Sequence, residues 1–133
     1  MLHRRGLGVV PEPTPAQLHQ FAQDERARRK AAFKAAGQGL SDRAQQDDII
    51  WSNIEQMAGR EAGDAVCLKR QPWYWTTPER IIMARSAWAT ACKAETSLDA
   101  SIEANAAKIT ALWQLYRWLK PVGWSPYINR EAT

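Results

Sequence analysis

The sequence has few of the residues on which most enzyme and metal sites depend. Its 133 residues include only two histidines, His3 and His19, and two cysteines. No H-E-x-x-H pattern, C-x-x-C pattern or glycine-rich phosphate loop is present. Asp47 and Asp48 are adjacent on a predicted helix, where neighbouring side chains point about 100° apart, so this pair alone forms no metal site. The sequence therefore predicts a protein that is not an enzyme and binds no cofactor or metal. The alternative is a small enzyme whose site is assembled from scattered residues.

Long hydrophobic runs are also missing. Every apolar stretch is interrupted within a few residues, well short of the roughly 20 residues that a transmembrane helix needs. Arg4 and Arg5 lie near the N-terminus, but Pro11 and polar residues follow before an apolar secretory segment develops. Two cysteines are too few for a disulfide scaffold, and we expect Cys67 and Cys92 to be ordinary thiols, the second of them buried. These features predict a cytoplasmic protein with no membrane partner.

The net charge of +4 conceals an uneven distribution of charge along the chain. Residues 1–34 and 67–133 carry more Lys and Arg than acids, whereas residues 35–66 carry more acids. A protein that only coated nucleic acid would gain little from the acidic middle.

The glycine-containing turn after the first predicted helix is typical of helix-turn-helix motifs. The next helix, however, opens with acids that DNA phosphates would repel, which argues against DNA binding by such a motif.

Capping residues and periodicity predict an all-α fold, either a compact four-helix bundle or an orthogonal helical array. We expect residues 1–14 to form an extended, basic, proline-containing arm and residues 15–133 to form a single helical domain. Thr14 is followed by Pro15 and Gln17, the pattern of a capping box with proline at the first helical position. Ser41 or Asp42, Thr77 and Ser97 are the expected caps of the later helices, and Gly37 and Gly59 the expected stops. The predicted helices are 15–36, 42–58, 78–94 and 97–119, with an irregular Trp-rich loop before the third and a tail over 120–133.

The fourth predicted helix has the clearest periodicity. Apolar residues recur every three to four positions over six turns, at Leu98, Ile102, Ala106, Ile109, Leu112, Trp113, Tyr116 and Leu119. Near the end of the helix further apolar residues, including Leu115 and Trp118, widen the apolar arc to about 220°. Either this is the central helix of the domain, or Leu115 and Trp118 contact a partner. A homo-oligomer formed through helix 97–119 is one such arrangement.

Tryptophan is the residue in excess, with seven copies against two phenylalanines and three tyrosines. Trp51, Trp88 and Trp113 fall on helical stripes and are predicted to be core. The other four lie in two segments where aromatic residues alternate with cations. Side chains of an extended segment point alternately to opposite sides, so the consecutive residues Trp73, Tyr74 and Trp75 do not all face one core. The predicted partner-binding residues are Arg70, Trp73, Tyr74, Trp75, Trp118, Lys120, Trp124 and Tyr127.

A second group of cations is predicted to contact phosphates or an acidic partner. Arg26, Lys30 and Lys34 form a row on the first helix, and this row has no acids of its own at helical spacing. On the same helix, Asp24 and Glu25 are placed to pair with the arginines four positions further on. Arg85 lies within a buried arc of the third helix. It must therefore snorkel to solvent, pair with an acid or project to a partner's anion.

Two functional interpretations of these residues compete with the simple view that the rings fill gaps in an alanine-rich core. In the first, a protein or nucleoprotein complex is the partner, because Trp, Tyr and Arg dominate protein–protein hot spots. The chain would then be a small adaptor, regulator or inhibitor that acts by occlusion or bridging. In the second, the rings stack unpaired bases of single-stranded DNA or RNA, while the cations and the basic row meet phosphates. The first interpretation is favoured.

Overall fold

The computed structural model describes residues 12–61 and 75–127, and these form four α-helices and no strand. The helices are α1 (Pro15–Ala35), α2 (Asp42–Glu61), α3 (Thr77–Ser97) and α4 (Glu103–Leu119). Helix α1 packs on α2, and α3 packs on α4. The predicted all-α class is confirmed.

The chain divides into two compact units, each built on one helix pair. The first unit, Thr14–Trp75, contains α1 and α2, and the second unit contains α3 and α4. Each has buried apolar side chains of its own. In the first unit they include Leu18, Ala22, Trp51, Ile54 and Ala58, and in the second Met83, Ala87, Leu112, Leu115 and Leu119. The single domain over 15–133 stays a prediction.

Helix α1 begins and ends as its sequence predicts. Thr14 accepts a hydrogen bond from the Gln17 amide, and Gln17 Oε1 accepts one from the Thr14 amide at 2.8 Å. At the other end, Gly37 has a φ of +73°, a left-handed conformation that glycine adopts without steric cost. The Gly37 amide donates to the Lys34 carbonyl, and the Gln38 amide donates to the Phe33 carbonyl. This is a Schellman motif, which satisfies the last carbonyls of the helix and turns the chain towards α2.

Helix α2 begins as predicted but ends later. The Ser41 hydroxyl accepts a hydrogen bond from the Ala44 amide at 3.1 Å, which confirms Ser41 as the cap. The predicted stop at Gly59 is wrong, because the helix continues to Glu61 with Gly59 buried inside it. A glycine within a helix costs about 1 kcal/mol relative to alanine, an amount that burial of neighbouring side chains offsets.

The boundaries of α3 and α4 also differ from the prediction. Thr76, not Thr77, caps α3, since its hydroxyl accepts from the Glu79 amide while Glu79 Oε1 accepts from the Thr76 amide. Ser97 ends α3 and does not cap α4; its hydroxyl donates to the Lys93 carbonyl. Helix α4 begins at Glu103, after a turn in which the Asp99 carboxylate accepts from the Ser101 amide. Such local side-chain bonds compete with helix continuation.

The buried face of α4 confirms four of the eight residues of the predicted stripe, and two more, Trp113 and Tyr116, are half-buried. Its fully or nearly buried residues are Ala106, Ile109, Ala111, Leu112, Leu115 and Leu119. Leu98 and Ile102 are not on this face, because they precede the helix, and Ile102 is exposed. Leu115 is 0% exposed, so the structure places it in the interior of the chain, where a second copy does not reach it.

Within residues 12–61 and 75–127, none of the helices combines the length and the apolar character that crossing a bilayer requires.

Candidate interaction surfaces

The second unit brings a cation and three aromatic rings together. Helix α3 supplies Arg85 and Trp88, and the segment after α4 supplies Trp124 and Tyr127. The Arg85 guanidinium carbon lies 5.3 Å from the centroid of the Trp124 ring. The rings of Trp88 and Tyr127 meet edge to face, with centroids 5.6 Å apart and planes at 88°. We call these four residues the C-terminal aromatic cluster.

A turn after α4 places the two C-terminal rings of the cluster against α3. Gly123 has a φ of +82°, and the Trp124 amide donates to the Pro121 carbonyl at 3.1 Å. Further on, the Tyr127 amide donates to the Ser125 hydroxyl at 3.2 Å, and Pro126 is buried. The glycine permits the left-handed backbone that the turn requires. The segment after α4 is thus held by its own hydrogen bonds, and its aromatic rings are positioned before any partner arrives.

Exposure within the cluster is graded. Tyr127 is 77% exposed, whereas Arg85, Trp88 and Trp124 are half-buried. An edge-to-face ring pair and a cation over an indole ring are each favourable geometries, contributing about 0.5–1.5 and 0.5–1 kcal/mol respectively. The aromatic rings therefore remain accessible to a partner, while their contacts with one another and with Arg85 restrict their motion.

Arg80, on α3, binds the C-terminal end of α4. Its Nε donates to the Leu119 carbonyl at 3.2 Å, and its Nη2 donates to the Trp118 carbonyl at 3.0 Å. A cation at a helix C-terminus satisfies free carbonyls and interacts favourably with the helix dipole. Sequence reasoning missed Arg80, because no local pattern connects it to residues almost 40 positions away. Trp118 and Lys120, both predicted to bind a partner, lie at this helix end and are half-buried.

The predicted Trp-rich segment divides between described and undescribed residues. Arg70, Trp73 and Tyr74 lie outside the described residues. Trp75 is only 4% exposed, and its indole Nε1 donates to Asn53 Oδ1 on α2 at 3.1 Å. The structure therefore places Trp75 in the interior and corrects the prediction that it lies on a partner-binding surface. A buried indole needs an acceptor for its N–H, and Asn53 supplies one.

The three tryptophans predicted to be core differ in depth. Trp51 is fully buried, as predicted. Trp88 and Trp113 are half-buried. The Trp113 indole N–H donates to a Glu95 carboxylate oxygen at 2.8 Å, and its ring meets Tyr116 edge to face at 5.8 Å. Helical periodicity predicted the correct side of the helix for these rings, but not how far their polar edges reach solvent.

The first unit contains a network of arginines and carboxylates between α1 and α2. Glu25 is its most buried member, at 3% exposure. One Glu25 oxygen accepts from Arg28 Nη2 at 2.5 Å and from Arg29 Nε at 3.0 Å. The predicted Glu25–Arg29 pair is confirmed, but Asp24 does not pair with Arg28 and instead accepts from Gln20 at 3.0 Å. Arg28 instead binds Glu25, which lies three residues before it on the same helix.

Helix α2 completes this network with three acids. Arg29 Nη1 donates to Asp47 at 2.7 Å, and its guanidinium lies 4.5 Å from the centroid of the Trp51 ring. Arg26 donates to both oxygens of Asp48, at 2.7 and 3.0 Å, and to Glu55 at 3.2 Å. We call Glu25, Arg26, Arg28, Arg29, Asp47, Asp48 and Glu55 the arginine–carboxylate network.

This network accounts for part of the charge pattern of the sequence. Three of the six acids in residues 35–66 bind arginines of α1 and so neutralise part of its basic stretch. Arg26 binds no acid on α1, as its spacing predicts, but Asp48 and Glu55 of α2 occupy it, so it is not available to phosphates in the way the prediction assumed. Lys30 and Lys34 are exposed and form no salt bridge with any other described residue.

The Asp48 carboxyl provides a pH-dependent readout of the network. Hydrogen bonds from the Arg26 side chain hold the Asp48 pKa below its ordinary value, and the charge of Lys30 adds to this. A carboxyl whose pKa is lower when folded than the unfolded value of about 3.9 stabilises the fold above that pH. The stabilisation is lost as the pH falls through the folded pKa.

We expect a carbon-13 NMR titration of wild type to give an Asp48 pKa below about 3.9, and Arg26→Gln to raise it. Lys93→Gln, on α3, is the matched control and should leave the Asp48 pKa unchanged. An Asp48 pKa that is the same with and without the Arg26 guanidinium would contradict this assignment.

The described residues offer little for metal or thiol chemistry. Within them, no group of three or more His, Cys, Asp or Glu side chains is arranged to hold a metal ion. Asp47 and Asp48 instead bind arginines. Cys92 is a free, half-buried thiol, and its pKa is raised by burial and by the charge of Glu95. A raised pKa reduces the thiolate fraction and so the reactivity. Cys67 lies outside the described residues.

No family model, curated protein or solved structure matches this chain.

Proposed function

We propose that this chain is a small, non-enzymatic helical protein of the cytoplasm that docks on a larger protein or nucleoprotein complex as an adaptor, regulator or inhibitor. The C-terminal aromatic cluster is the docking surface. One observation carries the proposal: Tyr127 is 77% exposed while its ring meets the half-buried Trp88 ring, and three residues before Trp88 on the same helix Arg85 lies over the Trp124 ring.

The chemistry of the cluster suits protein recognition. Tyrosine, tryptophan and arginine are the residue types enriched at hot spots, where a few side chains supply most of the binding free energy. Rings that are already held by a turn and by each other lose little side-chain entropy on binding. Arg85 adds a cation that orients a partner carrying acidic groups. The mechanism is occlusion or bridging of the partner's surface, with no covalent step.

Single-stranded nucleic acid is the alternative partner, and the charge arrangement favours it less. That alternative uses Arg26, Lys30 and Lys34 as phosphate contacts. Arg26 is already bound to Asp48 and Glu55, and phosphate would have to displace both. Losing one of three cations weakens a binding mode whose affinity depends on how many phosphates are neutralised.

The test compares the wild-type chain with the double variant Trp124→Ala/Tyr127→Ala as baits in an extract of the organism that encodes it. We expect a specific protein to be retained by wild type and lost by the double variant. With that protein purified, each single substitution should raise Kd about 30-fold, the effect of losing a hot-spot side chain worth about 2 kcal/mol. Ile49→Ala, an exposed apolar residue on α2, is the control and should bind as wild type does.

Two results would overturn the proposal. One is that every protein retained by wild type is retained equally by the double variant while both remain folded by circular dichroism. The other is that an oligothymidine quenches tryptophan fluorescence with an affinity that falls steeply as salt rises, which would make nucleic acid the partner.

A further inference from the structure

The turn between α1 and α2 forms an open groove separate from the C-terminal aromatic cluster. Its volume is about 720 Å³, within the range of ligand-binding clefts. The last two turns of α1 form one wall and the first turns of α2 the other. Phe33, Leu40 and Ala44 supply its apolar lining. Leu40, one of these lining residues, is 91% exposed, so its side chain is accessible to a partner.

The free charge at this groove is positive. Lys30 and Lys34 line it one helical turn apart, and neither forms a salt bridge with another described residue. Asp47 and Asp48 also line the groove, but their carboxylates are bound by Arg29 and Arg26 of the arginine–carboxylate network. The charge of Lys30 reaches Asp48 enough to lower the pKa of that carboxyl. What remains for a partner is a pair of lysines beside an apolar surface.

The backbone keeps the groove open. The left-handed Gly37 turns the chain out of α1, and a Cβ added to Gly37 would have no neighbour within 4 Å. At Gly39, a Cβ would lie 3.5 Å from the Lys34 Cα, so the turn passes close to the end of α1. The Schellman hydrogen bonds that shape this turn are complete without a partner. The groove is thus formed in advance, which reduces the ordering cost of binding.

We propose that this groove binds an acidic, apolar-centred segment of a partner protein. An apolar side chain of that segment packs against Phe33, Leu40 and Ala44, while its flanking carboxylates meet Lys30 and Lys34. Charge complementarity selects this occupant, since two cations one turn apart match carboxylates on either side of an apolar residue. A second copy that docked through the same groove would bring its own Lys30 and Lys34 to the same place, where like charges repel. This inference deepens the docking function proposed above and adds a second site with different residues.

The probe is a fluorescein-labelled peptide with a leucine–phenylalanine centre flanked by glutamates, compared with the same peptide flanked by glutamines. We expect fluorescence polarisation to give the glutamate peptide a Kd about tenfold lower. Lys30→Gln/Lys34→Gln should abolish that difference, and Leu40→Ser should weaken both peptides about equally. Amide shifts in NMR spectra should change at residues 30–48. The controls are Lys93→Gln/Lys108→Gln and Ile49→Ser, cations and an exposed apolar residue outside the groove lining.

Three outcomes would overturn this inference. The first is equal affinity for the two peptides, and the second is a loss of affinity in the control variants as large as in the groove variants. The third is that the peptide changes the amide shifts of residues outside the groove. Tighter binding of an oligothymidine than of the glutamate peptide, lost in Lys30→Gln/Lys34→Gln, would assign the lysines to phosphates instead. Trp124→Ala/Tyr127→Ala should bind the glutamate peptide as wild type does. A failure of the groove is therefore distinguishable from a failure of the C-terminal aromatic cluster.

Discussion

Replacing Trp75 with alanine is expected to destabilise the protein by about 3–5 kcal/mol, the range for removing a large buried aromatic side chain. Trp75 is 4% exposed, so the substitution removes buried apolar area and leaves a void. It also leaves Asn53 Oδ1 without the indole donor that lies 3.1 Å away. Both effects act in the same direction, because an unfilled void and an unsatisfied polar atom each cost free energy. Urea denaturation followed by circular dichroism measures the change in the free energy of unfolding.

A second variant separates packing from hydrogen bonding at Trp75. Trp75→Phe keeps most of the ring but lacks the N–H, and we expect it to cost clearly less than Trp75→Ala. Tyr127→Ala, which truncates an exposed ring, serves as the matched aromatic control and should change stability by no more than about 1 kcal/mol. Equal, small effects for Trp75→Ala and Tyr127→Ala would show that Trp75 is a surface residue after all.

Glu25→Gln is expected to lower the free energy of unfolding by about 3 kcal/mol, the lower end of the range for removing one partner of a buried ion pair. The Glu25 carboxylate holds Arg28 and Arg29, and its own side chain is only 2% exposed. Without its charge, Arg29 retains Asp47 and the Trp51 ring, which keeps the loss at the lower end of that range. Equilibrium urea denaturation at neutral pH measures the difference from wild type.

Asp24→Asn is the matched control for Glu25→Gln. Asp24 is the neighbouring carboxylate on the same helix, but it is exposed and accepts only a hydrogen bond from Gln20 among the contacts described above. Surface substitutions of this kind change stability by about 0.5 kcal/mol or less. The difference between the two variants should persist at about 1 M salt, because buried pairs are screened far less than exposed ones. If salt removed the difference, Glu25 would be acting as a surface charge.

Local signals in the sequence predicted the helices well. The Thr14–Gln17 capping box and the Gly37 stop are confirmed in detail, since both depend on residues within four positions of each other. The errors at Gly59, Thr77 and Ser97 have different causes. Gly59 is buried within α2, whereas Thr76 forms the cap predicted for Thr77, and the Ser97 hydroxyl bonds back to the Lys93 carbonyl of α3. Periodicity in α4 correctly identified its buried face, because that face repeats every turn whatever it packs against.

Contacts between distant residues were not predictable in this way. The pairing of Arg26 with Asp48 and Glu55 joins two helices, and Arg80 reaches the end of a helix almost 40 residues later. Neither pairing leaves a spacing that a single sequence reveals. In the C-terminal aromatic cluster, too, local patterns were predictable and contacts between distant residues were not. Trp124 and Tyr127 were selected because aromatic residues alternate with cations in their segment, and Arg85 because it lies within a buried arc of the third helix. Only the fold showed that Arg85 lies over the Trp124 ring and that Tyr127 meets Trp88.

By itself the sequence determined an all-α chain, the start and end of α1, the buried face of α4 and an excess of tryptophan among cations. These properties follow from propensity, capping and helical period, which act over a few residues. Only the tertiary structure decided that Trp75 is interior while Tyr127 is exposed, and that Arg26 is neutralised while Lys30 and Lys34 are not. Burial and charge pairing depend on what faces a side chain across the fold, and that neighbour comes from elsewhere in the chain.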